Sequence, residues 1–96
     1  MATVDLILIL YSRPGCHLCE DLEAKLRAIA ANSLPFALEI RDITEREEWM
    51  EAYQFEVPVL MQKSPDGTGD RPLPRPAPRA TAVQIEQMLR PALGGN

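Results

Sequence analysis

The chain has 96 residues, of which 46% are hydrophobic and 25% are charged, a composition typical of one small globular domain rather than a disordered chain. Ten basic and fourteen acidic residues give a net charge of −4, which argues against general nucleic-acid binding. Its two cysteines are too few for a disulfide framework or for a complete structural zinc site.

The N-terminal segment is predicted to be a buried strand. Residues 4–11 are almost continuously apolar and rich in Ile and Leu, as in a central strand covered on both faces. No basic residue precedes Arg13 and the pure apolar run is short, so the segment resembles neither a signal peptide nor a membrane span. We therefore expect a cytoplasmic location, where two nearby thiols are more often redox-active or metal-binding than structural.

A helix and a second strand are predicted next. The apolar residues that recur at helical spacing are Leu18, Leu22, Leu26 and Ile29. They predict a helix from about Cys16 to about Ala31, and the alternating pattern that follows predicts a strand over Phe36–Arg41. Two strands joined by a helix form a βαβ unit, so these strands should be parallel with a right-handed crossover.

A short helix and a hairpin should follow. Thr44 and Glu47 form a capping box for a helix that ends near Gln54. A third strand is predicted over Val57–Met61, and the turn cluster Ser64–Gly69 makes the next strand antiparallel to it.

A final helix closes the predicted order β-α-β-α-β-β-α. Thr81 and Gln84 form a second capping box, and Pro91 with residues 94–96 should end this helix. Its predicted apolar residues are Val83, Ile85, Met88 and Leu89. We expect one domain over residues 1–93, with residues 94–96 as a frayed tail.

The proline-rich segment 71–79 allows three interpretations: an edge strand, a plain loop, or a polyproline docking ligand. Its alternate prolines remove N–H donors from one edge of an extended chain, which would protect a sheet edge from further pairing. We therefore predict an edge strand for Arg71–Arg75 and a loop for Pro76–Arg79.

Cys16 and Cys19 form a C-x-x-C pair between a strand and a helix. The first cysteine would meet the unpaired N–H groups and positive end of the helix, which favour its thiolate, and Arg13 adds positive charge. The second lies one turn later on the same face, where it can attack a mixed disulfide formed at the first. These positions make Cys16 the candidate nucleophile and Cys19 the resolving thiol. His17 should be exposed, either tuning the thiolate or simply solvated.

Two other interpretations of the cysteine pair stay open. The thiols could be incidental apolar residues, since cysteine is often buried as a small hydrophobe. They could also carry a soft metal such as copper or zinc, because soft thiolates suit those metals.

The motif in residues 10–20 resembles the active-site entry of the glutaredoxin-like family of the thioredoxin fold. A second motif, Val57-Pro58, matches the family's cis-proline, and the resemblance implies that the Val57 backbone pairs with an extended substrate. Arg13 matches the basic residue that attracts a glutathione carboxylate. The fold implied is α/β and thioredoxin-like, with a four-stranded mixed sheet and helices on both faces.

The chain departs from the best-known glutaredoxins at two places. It has His17-Leu18 between the cysteines in place of Pro-Tyr, and residues 77–81 lack the family's glycine pair and acidic residue. Arg75 and Arg79 are the alternative source of positive charge for an anionic thiol.

The expected function is thiol–disulfide exchange through Cys16 and Cys19, on a disulfide-containing protein or a low-molecular-weight thiol. No cofactor is required, glutathione is a candidate reductant, and we expect a monomer without nucleic-acid or membrane partners. The alternatives are a metal or iron–sulfur carrier and a non-catalytic interaction module.

The charged residues are unevenly distributed along the chain. Residues 42–56 carry six acids and one arginine, whereas residues 71–90 carry four arginines and one glutamate. This could steer a charged partner or only reflect solvated surfaces.

Overall fold

The fold is a mixed β-sheet with helices packed on both of its faces. A computed structural model describes residues 6–64 and 69–93 of the chain. The elements in chain order are β1 (Ile7–Ser12), α1 (His17–Asn32), β2 (Ala37–Asp42), a 3₁₀ turn (Ile43–Glu45), α2 (Glu47–Tyr53), β3 (Val59–Gln62), β4 (Arg71–Pro72) and α3 (Ala82–Ala92). The four strands lie in the order β2-β1-β3-β4, with β1 parallel to β2 and antiparallel to β3, and β3 antiparallel to β4. This confirms the predicted thioredoxin-like α/β architecture.

Strand β1 is buried on both faces, as its continuous apolar sequence predicts. Leu8 and Leu10 belong to the larger core with α1 and α3, whereas Ile9 and Tyr11 belong to a smaller core beside α2. Successive side chains of a strand point to opposite faces, so a central strand between two layers needs apolar residues throughout. The predicted strand start at residue 4 lies outside the described residues.

The buried stripe of helix α1 differs at one position from the stripe that its leucine spacing predicts. The buried residues are Cys19, Leu22, Leu26 and Ile29. Leu18, which we expected in this stripe, is 45% exposed, because the stripe begins at Cys19 instead. The helix ends at Asn32, one residue beyond the predicted end, and the Ser33 N–H bonds the Ile29 carbonyl.

The capping box predicted at Thr44 is wrong. The Asp42 carboxylate instead accepts from the Thr44 N–H at 2.9 Å and from its hydroxyl at 2.6 Å, so Thr44 lies inside the 3₁₀ turn. Helix α2 begins later, at Glu47, and Arg46 before it supplies no side-chain cap. Because the N-cap position of α2 is Arg46, Thr44 lies two residues before it and does not cap this helix.

An aromatic cluster packs between α2 and the sheet. Trp49, Met50 and Tyr53 pack against Ile9, Tyr11 and Ile43. The Tyr11 ring lies 4.4 Å from that of Tyr53 and meets that of Trp49 edge to face at 5.7 Å, between ring centroids. The Arg41 guanidinium covers this cluster, 5.6 Å from the Tyr11 centroid and 5.4 Å from that of Trp49.

Glu39 joins two strands through charged contacts. Its carboxylate accepts from Arg41 on the same strand and from Lys63, just beyond β3, at 3.3 Å. Partial burial alone would raise the pKa of Glu39, but the hydrogen bonds and positive charges of Arg41 and Lys63 outweigh it, and the pKa lies below its ordinary value of 4.5.

We expect the stability contributed by Glu39 to be lost in acid. Because its folded-state pKa is lowered, the stabilisation is fully present above pH 4.5 and declines as the pH falls through the folded-state pKa. Urea denaturation at several pH values should show wild type more stable than Glu39→Gln near neutrality, with the gap closing in acid. A gap that stays constant across this range would contradict the assignment.

The edge strand β4 is shorter than predicted. It spans Arg71–Pro72, and one further bond joins the Leu73 N–H to the Leu60 carbonyl at 3.0 Å. Continuing the observed register would place Arg75 opposite Pro58, which has no N–H to return a bond, so pairing stops before Arg75. The predicted turn at residues 65–68 lies outside the described residues.

Helix α3 confirms its capping box and corrects its end. The Thr81 hydroxyl accepts from the Gln84 N–H at 3.1 Å, and the Gln84 side chain accepts from the Thr81 N–H at 2.9 Å. Pro91 does not stop the helix but lies in its last turn, before Ala92. Val83 is 64% exposed rather than buried, since only one side of this first turn faces the core. The predicted tail, residues 94–96, lies outside the described residues.

Candidate active site

The cysteine pair lies at the junction between β1 and α1. The chain turns between these two elements at Gly15, whose φ of +79° is a backbone conformation that favours glycine. Cys16 is the N-cap of α1 and is joined to Cys19 in a disulfide, with 5.2 Å between their Cα atoms. The Cys16 sulfur also accepts from the Cys19 N–H at 3.2 Å. Negative charge on this sulfur would therefore face an N–H donor and the positive end of the helix.

The two cysteines differ in access to solvent. Cys16 is half-buried at the edge of the molecule, whereas Cys19 is 2% exposed and belongs to the buried stripe of α1. A disulfide substrate arriving from solvent can thus reach the Cys16 side of the pair. Cys19 is covered but already in bonding contact with Cys16, as a resolving thiol must be.

The charged neighbours predicted from sequence lie at the rim of the site. His17 is exposed, with 95% of its side chain accessible, and its Nδ1 lies 3.8 Å from a Glu20 carboxylate oxygen. The Arg13 guanidinium is also exposed and donates to the Gln54 carbonyl at 3.4 Å rather than to a cysteine. Arg13 lies three residues before Cys16 in the chain. Its hydrogen bond connects the loop between β1 and α1 to the end of α2.

Val57 and Pro58 come before β3 and are joined by a cis peptide bond, as predicted. The Val57 N–H donates to the Tyr53 carbonyl at 3.1 Å, and the Val57 carbonyl accepts from Arg75 at 3.5 Å. A substrate strand could use this carbonyl's second lone pair. It could use the N–H only by displacing the bond to Tyr53.

A groove runs from this proline along the first turns of α1. It is lined by Leu18 and Leu22 of α1, by apolar residues of the segment 76–80, and by Arg75 and Pro58. Lys25 fixes its far wall, because its ammonium donates to the Ala80 carbonyl at 2.7 Å and pairs with Asp21 at 2.7 Å. The groove thus offers a small, mainly apolar recess beside the first turns of α1.

The structure brings Pro58 and Arg75 into one groove with Leu18 and Leu22, which lie on either side of Cys19 in α1, and it joins Arg13 to the end of α2. Arg79, the other predicted source of positive charge, is exposed and makes no ion pair within the described residues. Sequence reasoning missed Lys25 and Phe55. No nearby sequence pattern indicates the role of Lys25, because the carbonyl that it binds is 55 residues away in the chain. Phe55 had a sequence signal, since it is an apolar residue between the polar residues Gln54 and Glu56.

Within residues 6–64 and 69–93, no three His, Cys, Asp or Glu side chains lie close enough together to hold a metal ion. In the same two ranges, no helix has the length and apolar character needed to cross a membrane.

Comparison with known proteins agrees with this geometry. The profile of one protein family, described as a glutaredoxin-like domain (DUF836), matches residues 7–90. Among solved structures, the solution NMR structure of protein Ne2328 from Nitrosomonas europaea is 31% identical, with a TM-score of 0.62. The alignment covers 91% of this chain and 95% of that chain. Among curated proteins, no sequence matches this chain.

Proposed function

The chain belongs to the glutaredoxin-like domain family, and from this membership we propose that it catalyses thiol–disulfide exchange through Cys16 and Cys19. One observation carries the proposal: a half-buried cysteine at the N-cap of α1 is disulfide-bonded to a buried cysteine one turn later. Two sulfurs of unequal access, able to interconvert between dithiol and disulfide, are what this chemistry requires.

The reaction begins from the reduced dithiol. The Cys16 thiolate attacks one sulfur of a substrate disulfide, so that a mixed disulfide forms and the other substrate sulfur leaves as a thiolate. Cys19 then loses its proton and attacks the Cys16 sulfur, which releases the second substrate thiolate and leaves the Cys16–Cys19 disulfide. The dithiol has lost two electrons and the substrate has gained them.

A thiol donor must return those two electrons. Two molecules of a low-molecular-weight thiol, glutathione among them, would reduce the Cys16–Cys19 disulfide and leave as their own disulfide. The exposed guanidinium groups of Arg13 and Arg75 support an anionic donor, because neither has a carboxylate partner among the described residues.

The test is catalysis of hydroxyethyl disulfide reduction by the wild-type protein, with glutathione as donor and its recycling followed through NADPH consumption. We expect a rate proportional to protein concentration and well above the uncatalysed background. The same assay with dithiothreitol as donor separates the exchange chemistry from the choice of donor. No acceleration with either donor would overturn the proposal.

A further inference from the structure

Phe55 is a large apolar side chain that belongs to neither hydrophobic core. It is 92% exposed and lies in the turn between α2 and Pro58. The neighbouring Gln54 carbonyl accepts from Arg13, so this turn lies beside the loop that carries Cys16. Single exposed apolar residues are common on protein surfaces. Here, however, Phe55 and Leu18 are two of the three large hydrophobic residues exposed in the described ranges. Leu18 lies between the two cysteines in the chain, and Phe55 follows Gln54, whose carbonyl Arg13 binds.

Among the charged residues that line the groove, Arg75 is the one without a partner of opposite charge. Its guanidinium donates to the Val57 carbonyl and, among the described residues, forms no ion pair. The other charged residues of the groove neutralise each other, because Asp21 and Lys25 pair at 2.7 Å. A carboxylate entering the groove would therefore find its partner at Arg75.

The surfaces around Phe55 and around Arg75 have different electrostatic character. Glu56 follows Phe55, and the preceding helix α2 carries Glu47, Glu48 and Glu51. These four carboxylates outnumber the two guanidinium groups there, Arg13 and Arg46, so the surface around Phe55 has a net negative charge. The groove side offers Arg75 instead, which attracts carboxylates of a partner. A complementary partner thus places an apolar group over Phe55 and an acidic group at Arg75.

We propose that the substrate of this site is a protein disulfide whose cysteine has an apolar residue on one side and an acidic residue on the other. Phe55 lies two residues before Val57, and Arg75 binds the Val57 carbonyl, so an extended segment that pairs with the Val57 backbone would lie near both side chains. Hydroxyethyl disulfide is too small to contact both. This inference rests on the exchange function proposed above and names its substrate class.

The probes are blocked pentapeptides with a central cysteine held as a mixed disulfide with 2-mercaptoethanol. In one pair, two leucines lie on one side of the cysteine and two aspartates on the other, in both orders. In the matched pair, lysines replace the aspartates. Pre-reduced protein is the sole electron donor, and each rate of Cys16–Cys19 disulfide formation is divided by the rate of the same probe with dithiothreitol.

For wild type, we expect one order of the leucine–aspartate peptide to react about tenfold faster than its lysine counterpart. Arg75→Gln should abolish that preference. Phe55→Ala should lower the rate on the favoured peptide about tenfold relative to the rate on hydroxyethyl disulfide. Val83→Ala, the matched change at another exposed apolar residue, should leave this ratio unchanged.

Equal rates for the aspartate and lysine peptides would overturn the inference, as would a Phe55→Ala loss of the same size on hydroxyethyl disulfide. Faster reaction with the mixed disulfide of glutathione, unaffected by Phe55→Ala, would identify a small thiol as the occupant and also overturn it. In all these cases wild type still reduces hydroxyethyl disulfide. Failure to reduce that compound would instead refute the exchange function and the inference together.

Discussion

Replacing Cys16 with serine is expected to lower the rate of disulfide reduction by about a thousandfold or more, because the variant has no attacking thiolate at the accessible position. Cys19 is 2% exposed and cannot take over the attack on a substrate from solvent. The measurement is the hydroxyethyl disulfide assay with glutathione as donor, run on wild type and Cys16→Ser at equal concentrations.

Cys19→Ser is the matched variant, because it removes the other sulfur of the same pair. It retains the first step, so we expect its mixed disulfide with the substrate to persist and to be visible as an added mass on the intact protein. An external thiol can still release this adduct, so a larger share of activity should survive than in Cys16→Ser. Comparable activity in Cys16→Ser and wild type, or an adduct formed on Cys16→Ser alone, would reverse the assigned roles.

Replacing Leu26 with alanine is expected to lower the free energy of unfolding by about 3 kcal/mol, within the range of about 2–5 kcal/mol for buried leucines. Leu26 is completely buried at the middle of α1 and belongs to the core shared with β1 and α3. The change removes apolar contacts and leaves a cavity in the helix that positions both cysteines. Urea denaturation measures the effect, with every sample in the oxidised state so that the disulfide contributes equally.

Val83→Ala is the control for this core substitution. Its side chain is 64% exposed on α3, so we expect a change of at most about 0.5 kcal/mol. If Leu26→Ala lowers the free energy of unfolding no more than Val83→Ala does, this part of the core must repack around the missing atoms.

Sequence patterns predicted the features that depend on neighbouring residues. The continuous apolar run of β1 implied burial on both faces, and Thr81 with Gln84 formed the capping box expected of that spacing. The cysteine pair was placed correctly at the head of a helix for the same reason, since the turn at Gly15 and the following periodicity are local.

Local patterns did not predict features that depend on which of two candidate capping residues is used, or on contacts between residues far apart in the chain. Asp42 and Thr44 are both good helix-capping residues, and sequence alone did not show that Asp42 would hold the Thr44 hydroxyl. The length of β4 depended on Pro58 lying opposite Arg75, which requires the register of the sheet. At the site, the bond from the Val57 N–H to Tyr53 depends on how α2 leads into β3, so the motif predicted the cis bond but not the occupied donor.

Pro72 in β4 and Pro74 just after it also limit how the sheets of two copies of this chain can pair. Leu73 directs its N–H inward to Leu60, so the outward positions are Pro72 and Pro74, which offer carbonyl acceptors and no donors. Within the described residues, the sheet can therefore be extended fully only at β2, its opposite edge. A sheet with one open edge can join one other such sheet and then has none left, so edge-to-edge growth ends at a pair rather than continuing into a fibre.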